Sequence, residues 1–445
     1  MKIFIETLGC PKNFNDSEFA LGILERAGHK EAERAEDADL ILVNTCGFIN
    51  DAKKESIAKI FEMAEIAGEN KILAISGCLS ERYKDELYKE MPEVDIFIGV
   101  NDYDRLPALI EAAAKDKEGQ KLSFRSEYCD FNEPSLRKIP ENPYTATIKI
   151  AEGCNNICTY CIIPHIRGKY RSRKIEEITE EAKRLASSGT KELIIIAQDT
   201  TYYGMDIYGR LALPELLKEL CKIDGIRWIR LMYCYEDKIT DELIDTMARE
   251  EKICHYIDIP IQHSSDRILK AMNRKSTKTS IMSTISKLRA KMPDINIRTT
   301  LITGFPGETQ EDHEELMEFV DQMEFDRLGV FTYSPEEDTP AATMEDQIPE
   351  EVKQDRQAEL MELQQEISLE RGESCVGKDY LVMIEGKVAD ENAYVGRTYA
   401  DAPGIDGYMF INTGELLMSG DFVKAHVTGS LEYDLIGEIA DEYTE

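Results

Sequence analysis

Three cysteines in one short loop, Cys154, Cys158 and Cys161, constrain this chain more than any other feature. They follow directly after a strand-like run at 145–151. A tetrahedral zinc site needs a fourth ligand, and the nearest candidate is His165. The spacing suits three corners of an iron–sulfur cluster whose remaining iron has no protein ligand. It therefore indicates a catalytic metal cluster with an open position, with zinc binding and plain buried thiols as the alternatives.

The first third of the chain places three further cysteines at regular positions. Apolar strand patterns alternate with helical ones, which predicts βαβ units and a parallel sheet. Each strand is followed within a few residues by Cys10, Cys46 or Cys78. Because parallel strands present their carboxyl ends at one edge, we expect these thiols to meet and hold a second cluster; chance burial is the alternative. The strands are predicted at 2–7, 38–44 and 71–76, and the helices at 16–27 (with Asp16 or Ser17 as N-cap) and 52–68.

From residue 144 onwards, strand and helix patterns repeat six times. Six βα units predict a partial (β/α)6 barrel that is open on one side, rather than a closed barrel of eight. Catalytic groups of such barrels lie at the carboxyl ends of the strands, where the three-cysteine loop falls. The strands are predicted at 145–151, 192–197, 228–233, 256–261, 296–303 and 327–332, and the helices at 178–187, 213–222, 241–249, 277–291 and 310–322.

Several barrel strands end in polar or glycine-containing segments. Gln198 follows the second strand, Gln262 follows the fourth, and Gly304 begins a turn after the fifth. Backbone amides in a turn of this kind can approach a ligand closely. Around the cysteine loop, these positions indicate a pocket for a small molecule.

The chain is strongly acidic, with 53 basic and 86 acidic residues and a formal net charge of −33. Such a surface repels nucleic-acid phosphates and attracts basic proteins, although acidity that only maintains solubility is an alternative. One basic run, at 165–174, follows the cysteine loop. We expect its Arg167, Arg171 and Arg173 to bind a carboxylate of a cofactor or substrate, with a solvated helix start as the alternative.

A long helical pattern at 349–372 leads into alternating strand patterns at 379–385, 393–398, 407–411 and 421–429. These are typical of a five-stranded OB-like β-barrel, a fold that often binds RNA. Residues 372–445, however, contain 4 Lys and Arg against 15 Asp and Glu. That balance favours a basic protein partner over nucleic acid.

Length and composition predict a multidomain protein of the reducing cytoplasm. The chain has 445 residues, 42% of them hydrophobic, and neither a signal-peptide profile nor a membrane-length apolar run. The 11 cysteines should therefore be reduced. We expect a cluster domain at 1–126, a linker at 127–142, a barrel domain at 143–372 and a β-barrel domain at 373–445. Four cysteines are predicted to be uninvolved in clusters: Cys129, Cys221, Cys234 and Cys254.

Over essentially its whole length the chain resembles the methylthiotransferase family of the radical S-adenosylmethionine (SAM) superfamily. The resemblance rests on the three-cysteine loop with Tyr160 before its last cysteine, and on segments 8–18, 152–173, 258–263 and 396–407. A cluster domain, a radical SAM domain and a TRAM domain follow one another in that family. Asn15, Glu236 and Gly404 depart from its pattern, and none of them is a proposed ligand.

The resemblance implies two four-iron clusters, one on each cysteine triad, and two molecules of SAM. One SAM would yield a 5′-deoxyadenosyl radical and the other would donate a methyl group. Tyr160, Gln198, Gln262 and Gly304 are expected to contact SAM. The chain is most similar to members that methylthiolate the β-carbon of an aspartate in ribosomal protein S-twelve. That substrate, an electron donor such as a flavodoxin, and a monomer without membrane contact are therefore expected.

Two alternatives stay open from the sequence. The first is a tRNA adenosine methylthiotransferase of the same family, for which a basic or near-neutral TRAM domain would be expected. The second is a non-catalytic iron–sulfur or RNA-binding protein, which would explain the clusters and the β domain. It would not explain a barrel with polar strand ends.

Overall fold

The computed structural model describes residues 1–116, 119–125, 133–140, 143–389 and 391–444, with residues 134 and 441–444 described through their backbone alone. Three large sheets follow one another along these residues, and a two-stranded sheet lies within the central unit. Cys129 and half of the predicted linker, residues 127–132 and 141–142, lie outside the described ranges. Within those ranges, no helix has both the length and the apolar content that crossing a bilayer requires.

The N-terminal unit is built on a parallel six-stranded sheet with the order β2-β1-β3-β4-β5-β6. The three predicted strands form β1, β3 and β4. The other three are two or three residues long, too short to show a periodic pattern. The strands are β1 (Lys2–Thr7), β2 (Lys30–Glu31), β3 (Leu40–Thr45), β4 (Ile72–Ser76), β5 (Ile96–Ile98) and β6 (Lys121–Ser123), and the helices are α1 (Pro11–Arg26), α2 (Asn50–Ala67), α3 (Gly77–Arg82), α4 (Lys84–Glu90) and α5 (Leu106–Lys115).

Helix α1 begins at Pro11, earlier than predicted, with Cys10 as its N-cap residue. Proline suits the first helical turn because the N–H that it lacks would have no partner there. The predicted N-cap role of Asp16 or Ser17 is wrong, since both residues are buried within the helix. Their side chains bond across the structure instead, Ser17 to Thr7 and Asp16 to groups of the barrel.

The central unit is a parallel sheet with the order β14-β13-β12-β11-β10-β7. Its first and last strands are edges, so the predicted partial barrel, open on one side, is confirmed. A short antiparallel pair, β8 with β9, flanks the cysteine loop. The strands are β7 (Thr145–Lys149), β8 (Ala151–Glu152), β9 (Arg171–Ser172), β10 (Glu192–Ile196), β11 (Trp228–Leu231), β12 (Ile253–Asp258), β13 (Asn296–Thr303) and β14 (Arg327–Thr332). The helices are α6 (Ile163–Arg167), α7 (Ile175–Ser187), α8 (Met205–Tyr208), α9 (Leu213–Cys221), α10 (Asp241–Arg249), α11 (Asp266–Ala271), α12 (Lys278–Lys291) and α13 (Gln310–Met323).

A 26-residue helix, α14 (Glu350–Cys375), leads to a closed five-stranded barrel with the order β15-β16-β17-β19-β18. This confirms the predicted OB-like architecture. The last strand was not identified in the sequence, because its Gly, Glu and Asp residues interrupt the apolar alternation. The small barrel shares a core with the amino ends of the central strands, where Trp228 and Phe422 rings meet edge to face. Its strands are β15 (Asp379–Lys387), β16 (Ala393–Arg397), β17 (Met409–Asn412), β18 (Phe422–Ser430) and β19 (Leu435–Thr444).

Candidate functional site

Cys10, Cys46 and Cys78 come together at the carboxyl edge of the N-terminal sheet. They follow β1, β3 and β4, which are neighbours in that sheet. The three thiols are close enough to interact electrostatically with one another. Cys46 and Cys78 are buried and Cys10 is half-buried, so the group is largely shielded from water. We call these residues the N-terminal triad.

Close backbone packing holds the loops of the N-terminal triad together. Gly9 has a φ of +88°, and a Cβ added there would lie 2.7 Å from Cys46 Cβ. A Cβ at Gly47 would lie 2.8 Å from the backbone of Leu79. Asn13 donates through its side-chain amide to carbonyls of the first two loops, at 2.8 and 3.0 Å. Any larger side chain at either glycine would push the cysteine loops apart.

Cys154, Cys158 and Cys161 form the second group, the barrel triad, in the loop between β8 and α6. The backbone N–H and the side-chain amide of Asn156 donate to Cys154 Sγ at 3.4 and 3.5 Å. The Tyr235 hydroxyl lies 3.8 Å from Cys158 Sγ. Donors directed at sulfur favour the thiolate form that a metal requires.

Burial controls the acidity of these thiols. It raises the pKa of Cys46 and of Cys161 to about 12 and that of Cys154 to about 11, and it also raises the pKa of Cys78. Iron must therefore displace a proton from each of these thiols on binding. Within the described ranges, no three His, Cys, Asp or Glu side chains converge closely enough to hold a single ion. Each triad supplies three sulfurs, the number of protein ligands that an iron–sulfur cluster with one open iron requires.

Contacts of Cys78 link the N-terminal triad to the barrel segment that follows the barrel triad. Cys78 packs in a small apolar cluster with Ile162, the residue after Cys161, and with Ile166. Arg167 Nη2 also donates to Cys78 Sγ at 3.4 Å. The segment that carries the barrel triad therefore packs against Cys78, although the two triads lie far apart in the sequence.

A buried ion-pair network joins the two units beside the triads. Asp16 of α1 pairs with Lys149 and, at 2.7 Å, with Arg167. Glu152 pairs with the same two cations at 2.7 and 3.2 Å. Burial alone would raise the pKa of Glu152, but Lys149 and Arg167 outweigh it and lower the pKa. Sequence analysis missed this network, whose one signal was that its members flank the cysteine motifs.

Of the residues predicted to contact SAM, Tyr160 lies directly beside the barrel triad and Gln198 contacts Glu152, two residues before Cys154. The Tyr160 side chain is close to Cys158 and packs on an apolar cluster that includes Phe305. Gln198 donates through Nε2 to Glu152 Oε1 at 2.7 Å, while its own Oε1 is buried without a hydrogen-bond partner. That orphaned oxygen is suited to accept a hydrogen bond from a ligand.

The other two predicted SAM contacts have left-handed backbone conformations at strand ends. Gln262 has a φ of +74° and Gly304 a φ of +70°. For a non-glycine residue this conformation is strained, and such strain is concentrated at functional sites. The Gly304 N–H donates to Glu308 Oε2 at 2.7 Å, so this amide is already satisfied within its own turn. Contact with SAM stays a prediction for all four residues.

The three arginines predicted to bind a carboxylate have partners within the chain. The buried Arg167 belongs to the ion-pair network. Arg171 donates to the carbonyls of Lys169 and Arg167 at 2.7 and 2.9 Å. Arg173 pairs with Glu181 at 2.6 Å. A substrate carboxylate would have to displace or share these partners, and the role of the arginines stays a prediction.

Comparison with known proteins decides the family. Residues 148–320 match the Radical SAM superfamily, residues 2–99 the Uncharacterized protein family UPF0004 and residues 376–440 the TRAM domain. The chain is 54% identical to "Ribosomal protein uS12 methylthiotransferase RimO" of Lachnoclostridium phytofermentans, over 98% of this chain and 99% of the relative. The protein of the same name from Clostridioides difficile is 48% identical over 99% of each. The chain belongs to the RimO family.

Membership of the RimO family confirms the resemblance seen in the sequence and makes the chain a radical SAM transferase. Solved structures agree on the fold. The radical SAM methyltransferase TsrM of Kitasatospora setae superposes with a TM-score of 0.54 at 14% identity, covering 76% of this chain and 73% of that one. The cobalamin-dependent enzyme OxsB gives a TM-score of 0.53 at 12% identity, covering 77% and 54%.

Proposed function

We propose that this RimO-family chain adds a methylthio group to the β-carbon of an aspartate in ribosomal protein uS12. The observation that carries the proposal is the presence of two cysteine triads, one in each unit, with Cys78 of the first in contact with the segment that follows the second. Attaching a sulfur to an unactivated carbon needs both a radical source and a sulfur source, which protein side chains do not supply. Two separate metal sites beside one another meet that requirement, and relatives at 47–54% identity bear the uS12 methylthiotransferase name.

The proposal includes two four-iron clusters, one on the N-terminal triad and one on the barrel triad, together with SAM. When bound, the barrel cluster supplies the electron that cleaves SAM, the other cluster holds the sulfur, and a second SAM supplies the methyl group. The chain's own residues bury four of the six cysteines and partly bury Cys10 and Cys161, and the Asp16–Arg167 ion pair joins the two units beside them. Burial keeps water away from a radical that would otherwise be quenched. Tyr160, Gln198, Gln262 and Gly304 would line the SAM site.

The acidic surface supports a protein substrate. The formal net charge of −33 and the 15 acidic against 4 basic residues of 372–445 attract a basic ribosomal protein and repel tRNA. We further propose an external donor such as a flavodoxin, a monomeric enzyme and a cytoplasmic location, with functional units at 1–126, 143–372 and 373–445. Sedimentation of the reconstituted protein would test the monomer.

An anaerobic assay tests the proposed function. Reconstituted protein is given SAM, a reductant and a sulfide source, with uS12 and bulk tRNA offered together, and both products are analysed by mass spectrometry. We expect a methylthio mass gain on an aspartate of uS12 and none on tRNA. A mass gain on tRNA adenosine alone would contradict the proposal and support the alternative function, a tRNA adenosine methylthiotransferase. SAM that stays intact after reduction would support a non-catalytic iron–sulfur protein.

The division of labour between the triads gives a second prediction. Replacing Cys10, Cys46 or Cys78 by Ala should abolish methylthio transfer to uS12 while 5′-deoxyadenosine still forms. Replacing Cys154, Cys158 or Cys161 by Ala should abolish both. Chromatographic assay of 5′-deoxyadenosine beside the uS12 mass gain separates the two cases. If the N-terminal variants no longer cleave SAM, the two triads do not have the separate roles proposed.

A further inference from the structure

The ammonium group of Lys12 is buried, and it has no acceptor among the residues that the structure describes. Lys12 lies in the first turn of α1, two residues after Cys10, and is 7% exposed. Its Nζ lies 3.2 Å from the ring centroid of Tyr233, a barrel residue. Across the described part of the chain, no hydrogen bond or ion pair is made by this Nζ. Buried lysines are rare unless they are paired, so this group requires an explanation.

The carboxylates around Lys12 form ion pairs with other cations. Glu152 and Asp258 are near enough to influence it electrostatically. Glu152, however, is bound by Lys149 and Arg167, and Asp258 by Arg298 at 3.0 Å. Asp16, the other carboxylate of that network, is also shared by Lys149 and Arg167. Arg298 is in turn shared with Asp406 at 3.3 Å, and in the described part of the chain none of these carboxylates forms an ion pair with the Lys12 ammonium.

Tyr233 fixes where this charge lies. It follows β11 and has a φ of +60°, a conformation that non-glycine residues rarely adopt. Tyr233 is also close enough to Cys10 to interact with it electrostatically. A ring face attracts a cation without neutralising it, so Lys12 keeps its capacity to bind an anion. Lys12 thus lies between the N-terminal triad and the carboxyl edge of the barrel, where the reacting carbon must be placed.

We propose that Lys12 binds the side-chain carboxylate of the substrate aspartate. This rests on the proposed function, in which the β-carbon of that aspartate is the acceptor. The β-carbon is bonded directly to the carboxylate carbon, so an ion pair to Lys12 fixes the β-carbon between the two triads. An ammonium donates to carboxylate oxygens through charge-assisted hydrogen bonds, which are among the stronger ones. Tyr233 is the residue that positions Lys12.

A purely local role for Lys12 is the competing explanation. In that case its charge would offset the negative charge of the sulfurs near Cys10, and substrate would not contact it. Replacing Lys12 would then alter the iron content or absorption spectrum of the N-terminal site. The replacement would weaken the binding of every form of uS12 equally, whatever residue stood at the modified position.

A double-mutant cycle separates these explanations. The full-length reconstituted protein, as wild type, Lys12→Gln and Lys12→Arg, is titrated anaerobically with uS12 that carries either the target Asp or Asn, with SAM present and without reductant. We expect wild type to bind the Asp form roughly tenfold or more tightly than the Asn form. The preference should vanish in Lys12→Gln and be partly retained in Lys12→Arg. An unchanged preference in Lys12→Gln, with or without a changed spectrum, would overturn the assignment.

Lys71→Gln is the matched control. Lys71 lies in the same domain but at the amino end of β4, and its Nζ donates to the carbonyls of Glu36 and Ala38. It should keep the wild-type preference for Asp. The wild-type mass-gain assay keeps the two proposals distinguishable. No methylthio gain on uS12 would remove the proposed function, whereas a gain with no Lys12-dependent Asp preference would remove only the Lys12 assignment.

Discussion

The two ends of the barrel are each covered by another unit through a buried ion network, yet the two networks differ. At the carboxyl end, Asp16 and Glu152 meet Lys149 and Arg167 beside the cysteines. At the amino end, Glu192 of β10 is met by two guanidinium groups from opposite sides of the junction. One is Arg230 of the barrel at 2.8 Å, and the other is Arg397 of the TRAM unit at 2.6 Å.

The two networks differ in whether their charged groups all have partners. Arg230 and Arg397 use their further N–H groups on backbone carbonyls or on Glu385, so the amino-end junction is satisfied within the chain. At the carboxyl-end junction, Cys10 is half-exposed, and the Lys12 ammonium contacts the Tyr233 ring and forms no ion pair with any described residue. A network whose charged groups are all paired can only join two units. A network beside an unpaired ammonium and free thiols can also bind a ligand. The first is a structural joint, and the second is a site.

The largest expected effect comes from breaking the cluster-end network with Arg167→Met. This leaves two buried carboxylates with one lysine between them, and removing one partner of such a group costs about 3–5 kcal/mol of unfolding free energy. Urea unfolding of the reconstituted protein measures the loss. Arg249→Met, which removes only an exposed surface pair, should cost no more than about 1 kcal/mol. Equal losses of unfolding free energy in the two variants would mean that the buried network stabilises the fold no more than an exposed ion pair does.

Breaking the opposite joint with Glu192→Gln should have a smaller effect, of about 2–3 kcal/mol, because the amide keeps some of the hydrogen bonds to the arginines. Limited proteolysis should release the TRAM unit earlier, while the spectra of both clusters stay as in wild type. Changed cluster spectra in this variant would contradict the separation of the two ends.

The same glutamate predicts a pH dependence. Burial alone would raise the pKa of Glu192, but Arg397 and Arg230 outweigh it and hold the pKa at about 2, below its ordinary 4.5. A depressed folded-state pKa stabilises the fold above pH 4.5 and loses that contribution as the pH falls towards 2. The stability difference between wild type and Glu192→Gln should therefore shrink over that interval, as measured by unfolding at each pH. A difference that stays constant would show that Glu192 is not ionised in the fold.

The smallest expected effect tests the steric packing of the N-terminal triad rather than its charges. Gly9→Ala introduces a Cβ that would lie 2.7 Å from Cys46 Cβ, so it should cost roughly 1–3 kcal/mol and lower iron binding at the N-terminal triad. Gly28→Ala is the control, since its φ of +91° is similar and its Cβ would meet nothing within 4 Å. Iron is best counted with Cys154, Cys158 and Cys161 all replaced by Ala. Equal iron in the Gly9 and Gly28 variants would exclude the packing explanation.

Local pattern was sufficient for much of the fold. The strands β1, β13 and β14 begin and end where alternation and apolar runs predict, because a strand's periodicity is visible in a few residues. Short edge strands such as Lys30–Glu31 and the polar β19 carry no such signal. The start of α1 was misplaced because Asp16 resembles an N-cap, whereas its carboxylate is bound by barrel cations.

The sequence by itself determined the two cysteine triads, since each cysteine is tied by short spacing to a strand end or to its neighbours in one loop. Only the tertiary structure decided which charges meet between them. Asp16 is 133 residues from Lys149 and 151 from Arg167, and no local periodicity links positions so far apart. The same long-range packing places Lys12 against a tyrosine ring, with no carboxylate paired to it within the described ranges. Contacts of this kind depend on how two domains dock, which no single segment of the chain specifies.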